Sequence, residues 1–67
     1  RDEKQDVYAQ LRHIALERGY KDGWVAHKFK ERFGVWPRGL EDIEKPPTTL
    51  IMKWVLSRQI AFARAKR

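Results

Sequence analysis

The chain has 67 residues, a formal net charge of +6 and 42% hydrophobic residues, and it contains no cysteine. This length allows one small core, the apolar fraction argues against disorder throughout, and the absence of cysteine excludes disulfides and thiolate metal sites. No apolar stretch approaches the roughly 20 residues that span a bilayer, so we expect no membrane contact and a cytoplasmic location. Because the first residue is Arg1 rather than methionine, we interpret residues 1–67 as a single helical accessory domain cut from a larger protein.

The first segment, from residue 2 or 6 to residue 18, is predicted to form an amphipathic helix. Its apolar face carries Val7, Leu11, Ile14 and Ala15 at the three-and-four spacing of an α-helix. Its polar face is expected to hold Gln10, His13 and Glu17. Gly19 follows as a helix stop.

A second helix is predicted from about residue 23 to residue 33. The side chain of Asp22 is placed to cap its start, and Gly34 ends it. Val25, Phe29 and Phe33 fall on one side of this helix. The opposite side carries Trp24, His27, Lys28 and Glu31.

The segment from residue 34 to residue 47 is predicted to be a structured loop. It contains Trp36-Pro37, and the two prolines at 46 and 47 prevent a helix from continuing. It also holds a small acidic cluster of Glu41, Asp42 and Glu44. We expect Leu40 and Ile43 to anchor this loop to the core, with a single helical turn as one way of doing so.

The third helix is predicted from about residue 50 to residue 65, with Thr48 or Thr49 as its cap. It carries two apolar stripes: one of Leu50, Ile51, Trp54, Val55 and Phe62, and a second of Met52, Leu56, Ile60 and Ala63. Either the helix is a central pillar with both stripes buried, or the second stripe awaits a partner. We favour the pillar, and therefore a monomer, because a chain this short needs nearly all its apolar groups inside.

Together these patterns predict an all-α fold: a small three-helix bundle with a structured Trp-Pro loop between the second and third helices. The core is expected to contain Leu11, Ile14, Phe29, Phe33, Trp54 and Val55.

The sequence offers no catalytic, metal or cofactor site. The only histidines, His13 and His27, lie on different helices, and Ser57 has no suitably spaced base. A role in binding is therefore the expectation. From Lys53 to the end, basic residues (Lys53, Arg58, Arg64, Lys66 and Arg67) occur with no acidic residue. This bias suits phosphate contact, or equally a solvated helix end stabilised by the helix dipole.

Aromatic residues interleaved with cations suggest contact with nucleic acid. The candidate nucleic-acid-binding residues are Lys21, Trp24, Lys28, Lys30, Arg32, Trp36, Arg38, Lys53, Arg58 and Arg64, with Tyr20 as a further stacking group. Alternatively, Trp24 and Trp36 stack on each other or on the third helix and lock the loop. A helix-turn-helix reader is a weaker interpretation, since Lys28 alone on the exposed side of the second helix suits base reading.

Residues 19–40, about a third of the chain, also carry a set of short motifs: Gly19-Tyr20-Lys21, Gly23-Trp24, His27-Lys28-Phe29-Lys30, Phe33-Gly34 and Trp36-Pro37. This segment resembles the C-terminal region of bacterial and phage superfamily II DEAD/DEAH-box helicases, including the RadD-like group. It departs from the pattern at Asp22, where relatives often have proline. The resemblance implies an ATP-binding helicase as the parent protein, with this domain appended after its two motor lobes and in contact with them.

The motor itself is absent from this chain, since no G-x-x-x-x-G-K-[ST] phosphate loop occurs. We therefore expect a non-catalytic C-terminal accessory domain that contributes weak, largely non-specific nucleic-acid binding. The alternative is a protein-interaction or intramolecular docking module with no nucleic-acid contact. Exposure of the stripe that contains Met52, Leu56 and Ile60 distinguishes the two.

Overall fold

In the computed structural model, which describes residues 3–65, the chain forms three α-helices and no strand. They are α1 (Glu3–Arg18), α2 (Asp22–Phe33) and α3 (Thr49–Ala65). The predicted all-α three-helix bundle is confirmed. The helix ends lie within one residue of those expected, except that the alternative start of the first helix at residue 6 is wrong. Asp2 of the predicted first helix and the basic residues Lys66 and Arg67 lie outside the described residues.

Glycine ends both α1 and α2, as predicted. Gly19 has φ +74°, and the chain reverses there so that the Tyr20 N–H donates to the Ala15 carbonyl at 2.8 Å. Gly34 has φ +79°, and its own N–H donates to the Lys30 carbonyl at 2.7 Å. Both bonds satisfy carbonyls that the last helical turn leaves without an intrahelical partner.

The prediction that Asp22 caps α2 is wrong, because the helix begins one residue earlier than expected. Lys21 occupies the capping position in an extended conformation, and its side chain makes no capping hydrogen bond. Its carbonyl instead accepts from the Trp24 N–H at 3.0 Å. Asp22 therefore lies inside the first turn, where its charge still favours the helix dipole.

The core is built by all three helices. Its buried apolar members are Val7, Leu11, Ile14 and Ala15 of α1, Val25 and Phe29 of α2, and Ile51 and Val55 of α3. Of the predicted core residues, Phe33 and Trp54 are only partly buried and pack against the edge of this cluster.

The pillar interpretation of α3 is wrong for its second half. Met52 packs partly against the core, but Leu56 and Ile60 of the same stripe are exposed, as is Ala63. Leu50 and Phe62 of the other stripe are exposed as well. The buried residues Ile51 and Val55 lie in the first two turns of α3, so Phe62 and Ala63 extend beyond the core. Leu50, Leu56 and Ile60 are exposed because they project from other sides of the helix than Ile51 and Val55.

The loop between α2 and α3 is held by one of its two predicted apolar anchors and by polar contacts with α1. Leu40 does pack against the core, but Ile43 is exposed and no helical turn forms between residues 34 and 48. Gln5 of α1 accepts from the Glu41 N–H at 2.7 Å and donates to the Glu41 carbonyl at 3.1 Å. The Lys45 N–H donates to the Ala9 carbonyl at 3.2 Å.

Two residues of the acidic cluster, Asp42 and Glu44, contact polar side chains of α1. Arg12 lies 3.9 Å from Asp42, and His13 lies 3.3 Å from Glu44. The Tyr8 hydroxyl donates to Asp42 at 3.3 Å. Partial burial, together with the neighbouring Asp42 carboxylate, raises the pKa of Tyr8. The acidic cluster thus fastens the loop along α1.

Candidate nucleic-acid interface

The fold distributes the predicted nucleic-acid-binding residues over several places instead of one patch. Lys30 lies on α2, and Trp36 and Arg38 lie in the loop that follows it. Lys28 and Arg58 both pair with Glu31, between α2 and α3. Trp24 and Arg32 pack against aromatic neighbours. Lys53 and Arg64 lie on the far side of α3, and Lys21 is exposed at the turn between α1 and α2.

One group, which we name the Trp36 corner, consists of Trp36, His27, Lys30 and Arg38. The Trp36 side chain is 47% exposed. The Lys30 ammonium lies 4.5 Å from the centre of its ring, a cation–π distance, and the His27 ring meets it edge-on at 5.2 Å. Arg38 follows two residues later and is exposed. The corner therefore presents an aromatic ring beside cations to solvent.

The alternative in which the two tryptophans stack on each other is wrong. Trp36 rests on His27 and Lys30 of α2, whereas Trp24 lies against Tyr20 with ring centres 4.8 Å apart. Trp24 is partly buried against the core. Trp24 therefore contributes mainly to packing, and its ring is less available for stacking with a base.

Two predicted phosphate contacts, Lys28 and Arg58, are tied to the same carboxylate. Lys28 lies 3.3 Å from Glu31, and Arg58 of α3 donates to Glu31 at 3.0 Å. Partial burial opposes ionisation of Glu31, but the bonds and charges of Arg58 and Lys28 outweigh it and lower the pKa of Glu31. Both cations are thus partly neutralised before any ligand arrives.

Arg32 is also engaged within the domain. Its guanidinium lies 5.3 Å from the centre of the Trp54 ring, where it covers the edge of the core. Such a contact stabilises packing through the side-chain stem as well as the charge. Lys30 makes a similar contact with Trp36, but Lys30 and Arg38 are exposed whereas Arg32 is partly buried, so Arg32 is the weaker candidate.

An open groove of about 500 Å³ runs between α2 and α3 beside the Trp36 corner. Its lining includes Tyr20, Trp24, His27, Gln59 and Phe62. Gln59 donates to the Tyr20 hydroxyl at 3.2 Å, and this bond, together with Arg18, lowers the pKa of Tyr20. Because His27 belongs to both the groove and the corner, the two form one continuous aromatic surface.

The side of α3 opposite the core forms a separate surface, which we name the outward face. It consists of Lys53, Leu56, Ser57, Ile60, Ala61 and Arg64. A hollow of about 140 Å³ adjoins it, where Arg18 of α1 lies beside Lys53 and Leu56.

Within residues 3–65 no group of three His, Cys, Asp or Glu side chains is arranged to hold a metal ion. Over the same residues, no helix has the length and apolar character needed to cross a membrane.

Comparison of the chain with protein-family models, curated proteins and solved structures finds no match. The resemblance of residues 19–40 to helicase C-terminal regions stays a prediction from the sequence.

Sequence reasoning missed three features of these surfaces. It did not place His27 against Trp36 or Arg18 beside α3, because both contacts join separate elements. The sequence could indicate one of the two ion pairs of Glu31, because Lys28 precedes it at the i, i+3 spacing. Arg58, the second cation on Glu31, comes from 27 residues away and left no local signal.

Proposed function

We propose that this chain is a non-catalytic accessory domain that makes weak, largely non-specific contacts with single-stranded nucleic acid through the Trp36 corner and the adjoining groove. The observation that carries this proposal is the half-exposed Trp36 ring with the Lys30 ammonium 4.5 Å from its centre. Stacking of a base on an aromatic side chain contributes about 1–3 kcal/mol, and nearby cations contact the phosphates. A flexible single strand can place a base on Trp36 and others in the groove, which stacked duplex bases cannot do.

Little in the corner or the adjoining groove suits sequence reading. Lys28, the plausible base reader of α2, is held by Glu31. The remaining cations, Lys30 and Arg38, match phosphate oxygens as readily as base edges, so contacts should be insensitive to sequence. The resemblance of residues 19–40 to helicase C-terminal regions supports the same proposal, with the ATP-binding motor lobes in a longer parent protein.

A titration with short single-stranded oligonucleotides, against duplexes of the same sequence, tests the proposal. We expect weaker binding of the duplex, and we expect Trp36→Ala to lower single-strand affinity by about tenfold, the equivalent of one lost stacking contact. Leu16→Ala, at an exposed aliphatic residue of α1, is the matched control. The proposal would be contradicted if the Trp36→Ala variant and the unsubstituted chain bound with equal affinity, or if the unsubstituted chain did not bind at low salt.

Substitution of Glu31 supplies a test in the opposite direction. Glu31→Gln releases Lys28 and Arg58 next to the groove. We therefore expect tighter single-strand binding and a steeper fall of affinity with salt, by about 0.7 units of the log-log slope for one extra phosphate contact. That contact is assigned to Arg58, whose side chain is 48% exposed, whereas the Lys28 side chain is only 12% exposed. An unchanged slope would show that nucleic acid does not reach this part of the groove.

Protein docking is a second candidate function, favoured by a specific observation on α3. Leu56 is 55% exposed and Ile60 is 45% exposed, although both belong to the stripe that the pillar interpretation would bury. Exposed aliphatic residues grouped on one helix face are typical of interaction sites. Exposure of this stripe was the feature expected to favour docking, and it supports docking here. Because the outward face and the Trp36 corner share no residue, it does not argue against nucleic-acid contact at the corner.

A further inference from the structure

The outward face of α3 combines an aliphatic centre with cationic ends. Leu56 and Ile60 lie one helical turn apart, and the small residues Ser57 and Ala61 lie beside them. Lys53 precedes this centre and Arg64 follows it, about 16 Å apart along the helix axis at the rise of an α-helix. No acidic residue follows Glu44 in the sequence, so α3 itself supplies no carboxylate to neutralise these charges.

We propose that the outward face binds an acidic amphipathic helix of a partner protein. Two aliphatic side chains of that helix, one turn apart, would pack on Leu56 and Ile60, while carboxylates near its two ends would pair with Lys53 and Arg64. The small side chains of Ser57 and Ala61 allow the helix axes to approach closely. This inference rests on the docking function and is independent of nucleic-acid binding at the Trp36 corner.

The hollow next to Leu56 strengthens the match to such a helix. Its volume of about 140 Å³ is similar to cavities that hold a benzene ring, so it accommodates one leucine or phenylalanine side chain. Ile14, Met52 and Val55 supply apolar lining, and Arg18 and Lys53 line it as well. A third cation from α1, which also bonds to Tyr20, therefore lines the same hollow.

Charge argues against a second copy of this chain as the occupant. In a symmetric pair of α3 helices, each copy brings Lys53 and Arg64 to the interface, and no carboxylate of α3 opposes them. Like charges in contact oppose association. The net charge of +6 acts in the same direction. We thus retain the expectation of a monomer, on charge rather than on burial of the stripe.

Nucleic acid fits this face less well than the Trp36 corner. The centre between Lys53 and Arg64 is aliphatic and holds no aromatic ring for a base to stack on. A phosphate chain crossing it would lose hydration over Leu56 and Ile60 without gaining a hydrogen bond.

The binding test uses the 67-residue chain and a synthetic helical peptide of about 15 residues, with two leucines at i, i+4 and glutamates near both ends. A control peptide carries glutamine in place of each glutamate. Fluorescence anisotropy at low salt measures both affinities. We expect the glutamate peptide to bind at least about tenfold more tightly.

Protein variants then locate the contact. Lys53→Glu with Arg64→Glu should weaken binding of the glutamate peptide by at least about tenfold. Lys21→Glu with Arg38→Glu changes the net charge equally at exposed residues elsewhere and should leave affinity within about twofold. Leu56→Ser with Ile60→Ser should abolish binding, whereas Leu16→Ser, at an exposed aliphatic residue outside the face, should not. Circular dichroism verifies that each variant remains helical.

The possible outcomes distinguish failure of the inference, an acidic helix as the partner, from failure of the docking function on which it rests. If both peptides bind equally and Leu56→Ser with Ile60→Ser removes the binding, docking stands and the acidic partner is wrong. If neither peptide binds, or the Lys21 and Arg38 reversals weaken binding as much as the Lys53 and Arg64 reversals, the inference is overturned. Dimerisation at micromolar concentration in sedimentation, removed by Leu56→Glu, would assign the face to a second copy instead.

Discussion

Gln10 of α1 accepts hydrogen bonds from the backbone N–H of Thr48, at 2.9 Å, and from its hydroxyl, at 3.3 Å. Thr48 in turn accepts from the Ile51 N–H at 3.3 Å and so caps α3, as predicted for a threonine at 48 or 49. Gln10 was expected on the polar, solvent-facing side of α1, yet it is the buried polar residue that joins α1 to the start of α3.

Replacement of Gln10 by alanine is expected to lower the free energy of unfolding by about 1–3 kcal/mol, because the Thr48 N–H loses its acceptor in a partly buried place. Urea denaturation followed by circular dichroism measures the change. Gln5→Ala removes a glutamine on the same helix that bonds to the exposed part of the loop, and should have a smaller effect. Equal effects of the two substitutions on the free energy of unfolding would mean that Gln10 stabilises the fold no more than Gln5 does.

Phe29 and Phe62 allow the same substitution to be compared at a buried and at an exposed position. Phe29 is 1% exposed and Phe62 is 65% exposed. Phe29→Ala is expected to destabilise the chain by about 3–5 kcal/mol, enough to unfold so small a domain, whereas Phe62→Ala should cost about 1 kcal/mol or less. Thermal unfolding of both variants gives the comparison. A strongly destabilised Phe62→Ala variant would show that the end of α3 is packed more closely than the structure shows.

Gly34 and Gly23 are expected to respond to alanine in opposite directions. Gly34 has φ +79°, so alanine there is strained and should destabilise by about 1 kcal/mol. Gly23 lies inside α2 with a negative φ and open space around its Cα, so alanine should stabilise by about 0.5–1 kcal/mol. Midpoints of urea denaturation measure both changes. Stabilisation by Gly34→Ala would contradict the left-handed end of α2.

The lowered pKa of Glu31 makes part of the stability dependent on pH. A carboxyl group whose pKa is lower in the folded state stabilises the fold above its ordinary value of 4.5, and this contribution is lost as pH falls through the folded value. Glu31→Gln should therefore reduce the loss of stability as the pH falls below 4.5. Since Glu31 is about one-third exposed, the contribution should stay below about 1 kcal/mol. Glu3→Gln controls for net charge, and an unchanged pH profile of the Glu31 variant would contradict the ion pairs.

Local patterns were enough to predict the helices and much of the core. The spacing of Val7, Leu11 and Ile14 identified the buried face of α1, and Gly19 and Gly34 identified the ends of α1 and α2. These signals work because helix geometry and the steric freedom of glycine act over a few neighbouring residues. Phe29 and Val55 were predicted in the core for the same reason.

The tertiary structure alone decided which of the predicted site residues are available. Arg58 meets Glu31 from 27 residues away, and Gln10 meets Thr48 from 38 residues away, so neither contact leaves a local signal. The apolar pattern of α3 likewise could not show which of its two stripes packs against the other helices, and Leu56 and Ile60 are exposed because they lie on the side of that helix opposite the core. Periodicity shows which residues share a face, whereas burial depends on what the rest of the chain places against it.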